Sequence, residues 1–357
     1  MPRPRPGQRP DVCLSHPGGR HERQHQRREP TDRGDGPLSR SRSRGRRFVK
    51  LSGAGNDFIA VLGDDGPPPT AGEIVTVCRR RLSLGADGVL YLERTGATAA
   101  RLAYFNADGS RGDLCLNGSR CAVRLAVGLG WISAEETLAL STDAGKLRGR
   151  LLDDESATTT LPDGLVGTPR PQILQFDHLD AWPGPATLEA TFVMVGVPHL
   201  VVDLAALGGS GGARALQELE LATLGPTLRH HAALGPAGAN VDVVTLDEGR
   251  LHLRSWERGV ETETLACGTG ALAAVRALAP SRAVVTVATA GGHELTVELA
   301  DGAASTHGAP DDERVARLSG DARWVAEGEL AAGAFGAGPR SERISGLGTR
   351  SSGSTTS

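Results

Sequence analysis

Lysine is nearly missing from the 357 residues: Lys50 and Lys146 are the only two. Both fall in predicted strands and neither sits in a cofactor motif, which argues against Schiff-base chemistry with pyridoxal phosphate. Long apolar runs are missing too. No stretch is long and charge-free enough to span a bilayer, so no membrane partner is expected. There is no Cys/His cluster with zinc spacing; Cys115 and Cys121 are separated by five residues with no second pair nearby, and no metal is expected. The five cysteines (Cys13, Cys78, Cys115, Cys121 and Cys267) are odd in number and too sparse for a disulfide scaffold. The basic N-terminal segment has no apolar signal core, so a reducing, cytoplasmic setting is expected.

Charge is distributed unevenly. The first 47 residues hold thirteen Arg against five Asp or Glu, with abundant Pro, Gly, Ser and Gln and almost no aliphatics. Such a segment cannot bury enough apolar surface to offset its ordering entropy, and residues 1–46 read as a disordered extension. Without that head, 26 basic residues face 37 acidic ones. An acidic body argues against nucleic-acid binding by the folded part. The head lacks the aromatic interleaving of a single-strand binder, but a basic arm remains an alternative use for it. Residues 333–357, rich in Gly, Ser, Arg and Thr, also read as disordered.

Between these ends the pattern alternates strands and helices. Arg46–Leu51 and Phe58–Leu62 read as strands around a glycine-rich turn, and a helix is predicted over Thr70–Arg81 with Ile74, Val77, Cys78 and Leu82 on one face. Strands follow at Val89–Glu93, Ala100–Asn106, Thr137–Ser141 and Lys146–Leu152. A Pro/Gly-rich stretch from Pro162 to Pro185 marks a crossing. The plan then repeats: strands Ala190–Val195 and His199–Val202, a helix around Ala213–Leu224, and strands Val241–Leu246, Leu251–Trp256, Ala283–Ala288 and Glu294–Ala300. Arg314–Leu318 and Ala322–Glu329 close the pattern. The expected fold class is α+β: two pseudo-symmetric domains, each a curled, mostly antiparallel sheet wrapped around a central helix, with the active site in the cleft between them. The expected boundaries are 47–160 plus 316–332 for the first domain and 161–315 for the second.

Two cysteines open the same motif in opposite halves. Cys115-Leu-Asn-Gly-Ser-Arg-Cys-Ala-Val-Arg124 and Cys267-Gly-Thr-Gly-Ala-Leu-Ala-Ala-Val-Arg276 agree at Gly118/Gly270, Ala122/Ala274, Val123/Val275 and Arg124/Arg276. A glycine turn leading into an Ala/Val/Arg-rich helix places each thiol at a helix N-terminus, where unpaired N–H groups favour a thiolate and a bound anion. Inverting an amino-acid Cα needs one proton-transfer group on each face, and thiols can both take and give a proton. Cys78, on a helix face, and Cys121, two turns into the first helix, read as packing residues.

Further motifs occur in one order: Gly53-Ala-Gly-Asn56-Asp57-Phe58, Gly85-Ala-Asp87-Gly88, Phe105-Asn106-Ala-Asp108-Gly109-Ser110, Gly196-Val-Pro198-His199, and Glu257-Arg258-Gly259-Val260 through Ala266-Cys267-Gly268-Thr269-Gly270. Together they resemble the diaminopimelate epimerase family over Phe48 to Leu330; Cys-Gly-Thr-Gly by itself fits the related proline racemases as well. The resemblance implies a cofactor-independent, homodimeric enzyme that interconverts LL- and meso-2,6-diaminopimelate for lysine and peptidoglycan precursors. Cys115 and Cys267 would be the acid–base pair, with His199 and Glu257 tuning those thiols. Asn56, Asn106, Asn117, Asn240 and Arg258 match substrate-binding positions, and the backbone N–H groups of Leu116, Asn117, Gly268 and Thr269 would hold the reacting α-carboxylate.

The chain departs from the family pattern in three places. Leu116 stands where Gly usually follows the first cysteine, and its Cβ restricts the turn. Val197 replaces the Asn that commonly precedes Pro-His, removing an amide expected at the distal carboxylate. Glu261-Thr262-Glu263 lengthens the approach to the second cysteine by one residue. Another amino-acid racemase on the same scaffold is therefore the first alternative, and an inactive relative with an RNA-binding basic arm is the second.

Overall fold

The computed structural model describes residues 45–162, 164–176, 182–210, 212–281, 283–299 and 316–331. The expected disordered segments, save for Gly45 and Arg46, lie outside these residues. Alternation of apolar and polar side chains produces half-buried strands such as Gly145–Asp153, Ser156–Leu161, Val284–Thr289 and Glu294–Leu299. Apolar runs produce strands buried on both faces, as in Asn56–Leu62. Five α-helices are described: α1 (Ala71–Cys78), α2 (Leu116–Gly128), α3 (Gly212–Glu218), α4 (Leu221–Arg229) and α5 (Gly268–Leu278).

The strand pairing repeats. In the first half, the hairpin Arg46–Gly53/Asn56–Leu62 runs parallel to Gly88–Gly96, which pairs antiparallel with Ala99–Asn106, itself parallel to Leu138–Thr142. In the second half, Thr187–Val195/Val197–Asp203 runs parallel to Asn240–Asp247, which pairs antiparallel with Arg250–Glu257, itself parallel to Val284–Thr289. The two repeats are stitched together where Ser156–Leu161 pairs antiparallel with Ala316–Asp321. A parallel pair needs a crossover, and helices supply it. Helix α1 crosses in the first half, and α3 with α4 in the second; α2 and α5 cross the other two parallel pairs. Each cysteine helix therefore starts just beyond the carboxyl end of a strand, Ala99–Asn106 or Arg250–Glu257.

Almost every residue of α2 from Leu116 to Ala126, and of α5 from Gly268 to Val275, is buried, and both helices lie in one continuous apolar core. Helices enclosed in this way need small and aliphatic side chains all round. Separate clusters sit under α1 and under α3 and α4. Helix α1 begins at a capping box, in which Thr70 Oγ1 accepts from the Glu73 N–H and Glu73 Oε2 accepts from the Thr70 N–H. It stops at Cys78 rather than Arg81, which takes a left-handed φ of 70°. The single helix expected over Ala213–Leu224 is two, broken at Leu219–Glu220. Strands Ser156–Leu161 and Arg170–Gln175 were not expected; the second lies inside the Pro/Gly-rich crossing. Among the described residues no helix is long and apolar enough to cross a membrane.

Candidate active site

The N-termini of α2 and α5 open onto one cavity of about 270 Å³. Cys115 is the N-cap of α2, and its Sγ accepts the Gly118 N–H at 3.3 Å. Cys267 is the N-cap of α5, and its Sγ accepts the Gly270 N–H at 3.3 Å. Each sulfur thus does the work that a Ser or Asp oxygen does at an ordinary N-cap. Asn56, Asn106, Leu116, Asn117, Asn240, Glu257, Arg258, Gly268 and Thr269 line the cavity with the two cysteines, as does Val197. Twelve residues were expected at the site, and His199 alone among them does not line the cavity; it is fully buried behind it.

The amides are oriented by partners whose chemistry allows one direction only. The Arg120 guanidinium donates to Asn117 Oδ1 at 2.7 Å, so Asn117 Nδ2 donates, to Ala266 O at 3.0 Å and Asn56 Oδ1 at 3.2 Å. Asn56 Nδ2 then donates to Asp87 Oδ2 at 3.0 Å. Asn117 therefore ties the start of α2 to the residue before the second cysteine. Asn106 Nδ2 donates to Ser110 Oγ at 2.9 Å. Among the described residues the Arg258 side chain makes no hydrogen bond or ion pair, while its backbone N–H donates to Asn240 Oδ1 at 2.7 Å. A half-buried guanidinium on the cavity wall can grip a carboxylate bidentately.

Electrostatics around the thiols departs from the sequence expectation. Burial pushes the Cys115 thiol up to about 12, against the lowering by the Gly118 and Asn117 N–H groups, and nearby Glu257 pushes the same way. Burial also drives Cys267 well above the ordinary thiol range, reinforced by Glu257 and Asp242. A helix terminus contributes a fraction of a charge, whereas taking a thiolate out of water costs more. The helix N-termini therefore do not by themselves make thiolates. Glu257 is raised by its own burial, and hydrogen bonds from the Thr264 hydroxyl (2.6 Å) and the Cys267 thiol oppose that shift. Burial thus favours the protonated form of both thiols.

Two of the departures find local explanations. Leu116 is the first residue of α2, buried, and its φ is not positive, so a side chain is tolerated there. A Cβ on Gly268, its counterpart in α5, would lie 3.1 Å from the Leu116 Cβ, so the two starts fit because one of them lacks a side chain. The extra residue before Cys267 is taken up at Glu261, with φ 54° and an N–H that donates to Glu257 O at 2.8 Å.

Several residues at the site were missed. Tyr104 lines the cavity, its phenol held well above the ordinary range by burial and by Cys115 and Glu257. Arg120, on α2, is fully buried. Asp242 is fully buried and accepts from Ser255 Oγ at 2.6 Å, and its Oδ2 lies 2.6 Å from His199 Nδ1. A carboxylate within the apolar run Val241–Val244 was the available signal, since strand alternation puts Asp242 on the face of Asn240. His199, Asp242 and Cys267 each present an atom within 4.8 Å of the others, the closest approach to a metal-binding trio among the described residues. Two of these three side chains are already engaged with each other.

The diaminopimelate epimerase family pattern matches residues 48–164 and 191–325. The diaminopimelate epimerase of Gemmatimonas aurantiaca is 34% identical over 302 residues, covering 80% of this chain and 99% of that protein. The enzyme of the same name from Methanocella arvoryzae is 32% identical, covering 80% and 96%. Among solved structures, a probable proline racemase from Agrobacterium radiobacter aligns with a TM-score of 0.55 at 18% identity, covering 82% of this chain and 96% of that one. A PhzF-family phenazine biosynthesis protein from Bacillus anthracis aligns at 0.56 and 16%, covering 80% and 99%. These two likenesses establish a shared fold. With two thiol-capped helices on one cavity and a family pattern spanning most of its length, the chain belongs to the diaminopimelate epimerase family.

Proposed function

We propose that this protein epimerises LL-2,6-diaminopimelate to meso-diaminopimelate by a two-base mechanism that needs no cofactor. The observation that carries the reading is that two N-cap thiols, one from each half of an internal repeat, line a single small cavity. The reacting α-carboxylate would accept from backbone N–H groups at the starts of both helices, Leu116 and Asn117 on one side and Gly268 and Thr269 on the other. One thiolate would take the Cα proton while the opposite thiol returns one to the other face. Since burial favours the protonated form of both thiols, the substrate's ammonium and the groups beside Cys267 would supply what forms the thiolate. Arg258, Asn106 and Asn240 would hold the distal amino-acid head.

The test is incubation of LL-diaminopimelate in D₂O, with deuterium at Cα followed by mass spectrometry and the epimer ratio by chromatography. Deuterated meso product is expected. A second reading, racemisation of a different amino acid, is favoured by Val197 alone, and L-amino acids tested in the same assay discriminate. Exchange into another amino acid with none into diaminopimelate would overturn the assignment.

The same reading includes a homodimer, a cytoplasmic location and the domain division 47–160 plus 316–332 against 161–315. The repeat of the pairing pattern supports that division, and the four cysteines among the described residues, all free, suit a reducing compartment. Sedimentation at micromolar concentration tests the dimer.

A further inference from the structure

The hydrogen bonds around His199 form a chain whose direction is fixed at both ends. At one end, the Arg258 backbone N–H can only donate, so Asn240 Oδ1 accepts it at 2.7 Å. The amide is then oriented, and Asn240 Nδ2 lies 3.4 Å from His199 Nε2 as the donor, which leaves no proton on Nε2. At the other end, Asp242 Oδ2 lies 2.6 Å from His199 Nδ1. A carboxylate only accepts, and the Ser255 hydroxyl already donates to its other oxygen at 2.6 Å. Nδ1 therefore carries the proton. Both ends specify the same tautomer.

Strand geometry makes this arrangement possible. His199 stands opposite Asn240 in a parallel ladder, Asp242 lies two residues further on the same face, and Ser255 stands opposite Asp242 in the next ladder. His199 and Asp242 are fully buried, and a ring nitrogen, a carboxylate oxygen and Cys267 Sγ lie within 4.8 Å of one another. Glu257, from the strand Arg250–Glu257, is a further ionisable group facing this cluster.

We infer that Asp242 is a positioning residue: it fixes His199 with Nδ1–H toward its own carboxylate and Nε2 accepting the Asn240 amide, which holds the imidazole in one orientation beside Cys267. The inference rests on the epimerase reading of the two thiols. With the ring held, the hydrogen-bonding edge and the carboxylate that lie beside Cys267 stay fixed while that thiol exchanges its proton with Cα. A carboxylate that orients a histidine beside a nucleophile acts in the same way in hydrolytic triads.

The test has two arms on the full-length protein. In the first, nitrogen-15 labelling of histidine and long-range proton–nitrogen correlation report the His199 tautomer in the wild type without substrate, with His199→Gln providing the resonance assignment. The Nδ1–H form supports the inference and the Nε2–H form overturns it, whatever the substrate proves to be. In the second, Asp242→Asn keeps the shape and removes the charge. The expected result is a fall in kcat of about 10-fold to 100-fold with KM within about threefold, on the scale of outer groups that orient a histidine elsewhere. Asp242→Asn with wild-type kcat would overturn the inference. If wild-type protein exchanges no Cα proton of diaminopimelate, the epimerase reading fails, while the tautomer result still decides the Asp242–His199 arrangement.

Discussion

The starts of α2 and α5 make an instructive pair. Each is capped by a cysteine sulfur accepting an N–H three residues on, at 3.3 Å in both cases, and each cap residue is extended. Their surroundings have diverged. Cys267 has Glu257, Asp242 and His199 beside it, whereas Cys115 sees Glu257 and, from beneath, Arg120. At the fifth position after the cysteine, α2 carries the buried Arg120 that holds Asn117, and α5 carries Leu272. Duplication supplied two equal caps, and later side chains made one thiol the better connected. Backbone hydrogen bonds depend on helix geometry alone, so they survive divergence; charged neighbours do not.

The comparison can be broken most sharply by removing either sulfur. Cys115→Ser and Cys267→Ser should each lower epimerisation by about 10³-fold or more, as expected for loss of an acid–base group. Conversion of LL to meso substrate measures it. Near wild-type turnover in either variant would end the two-base mechanism.

Next in size is a contrast in stability. A Cβ on Gly270 would overlap the buried Asp242 carboxylate, while one on Gly118 would come within 2.8 Å of Leu90 Cδ2, the far end of a flexible side chain. Gly270→Ala should cost about 3 kcal/mol and Gly118→Ala about 1 kcal/mol, the range for overpacking in a core. Urea midpoints of the two variants decide it, and equal losses would show the two starts to be equally constrained.

A third contrast concerns pH. A thiol raised by burial stays protonated in the folded protein, so its thiolate fraction still climbs above pH 9, where an ordinary thiol levels off. Alkylation of Cys115 by iodoacetamide should therefore rise about tenfold per pH unit from 8 to 11. Cys267, only 5% exposed, should react more slowly than half-buried Cys115 throughout. Peptide mapping by mass spectrometry follows both; a plateau at pH 9 would show that the helix end outweighs burial.

The smallest effect tests the distal end of the cleft. Val197→Asn should lower KM for diaminopimelate by up to about tenfold, through one hydrogen bond to a charged group. An unchanged KM would place the distal carboxylate elsewhere on the wall.

Much of this site was readable beforehand, because its parts are local. Cys115 and Cys267 were found from a ten-residue repeat, and their capping role follows from glycine turns that sequence displays directly. Asn56, Asn106, Asn117, Asn240 and Arg258 were placed by the resemblance, and all of them line the cavity. Asp242 was overlooked since a lone acid in an apolar strand has no local meaning until its neighbour strand brings His199 opposite. Arg120 was overlooked for the same reason: burial of an arginine inside a helix depends on the sheet that closes over it. The break between α3 and α4 was missed because an apolar pattern continued through it.

By itself, then, the sequence determined what depends on order along the chain: the duplicated thiol caps, the repeated alternation of strands and helices, and the acidic body with its basic head. Tertiary structure decided the ionisation of the thiols and the partners of His199. Those depend on how much water is excluded and which strands lie side by side. Such quantities are set only when segments far apart in sequence have packed together, as Asn117 does with Ala266.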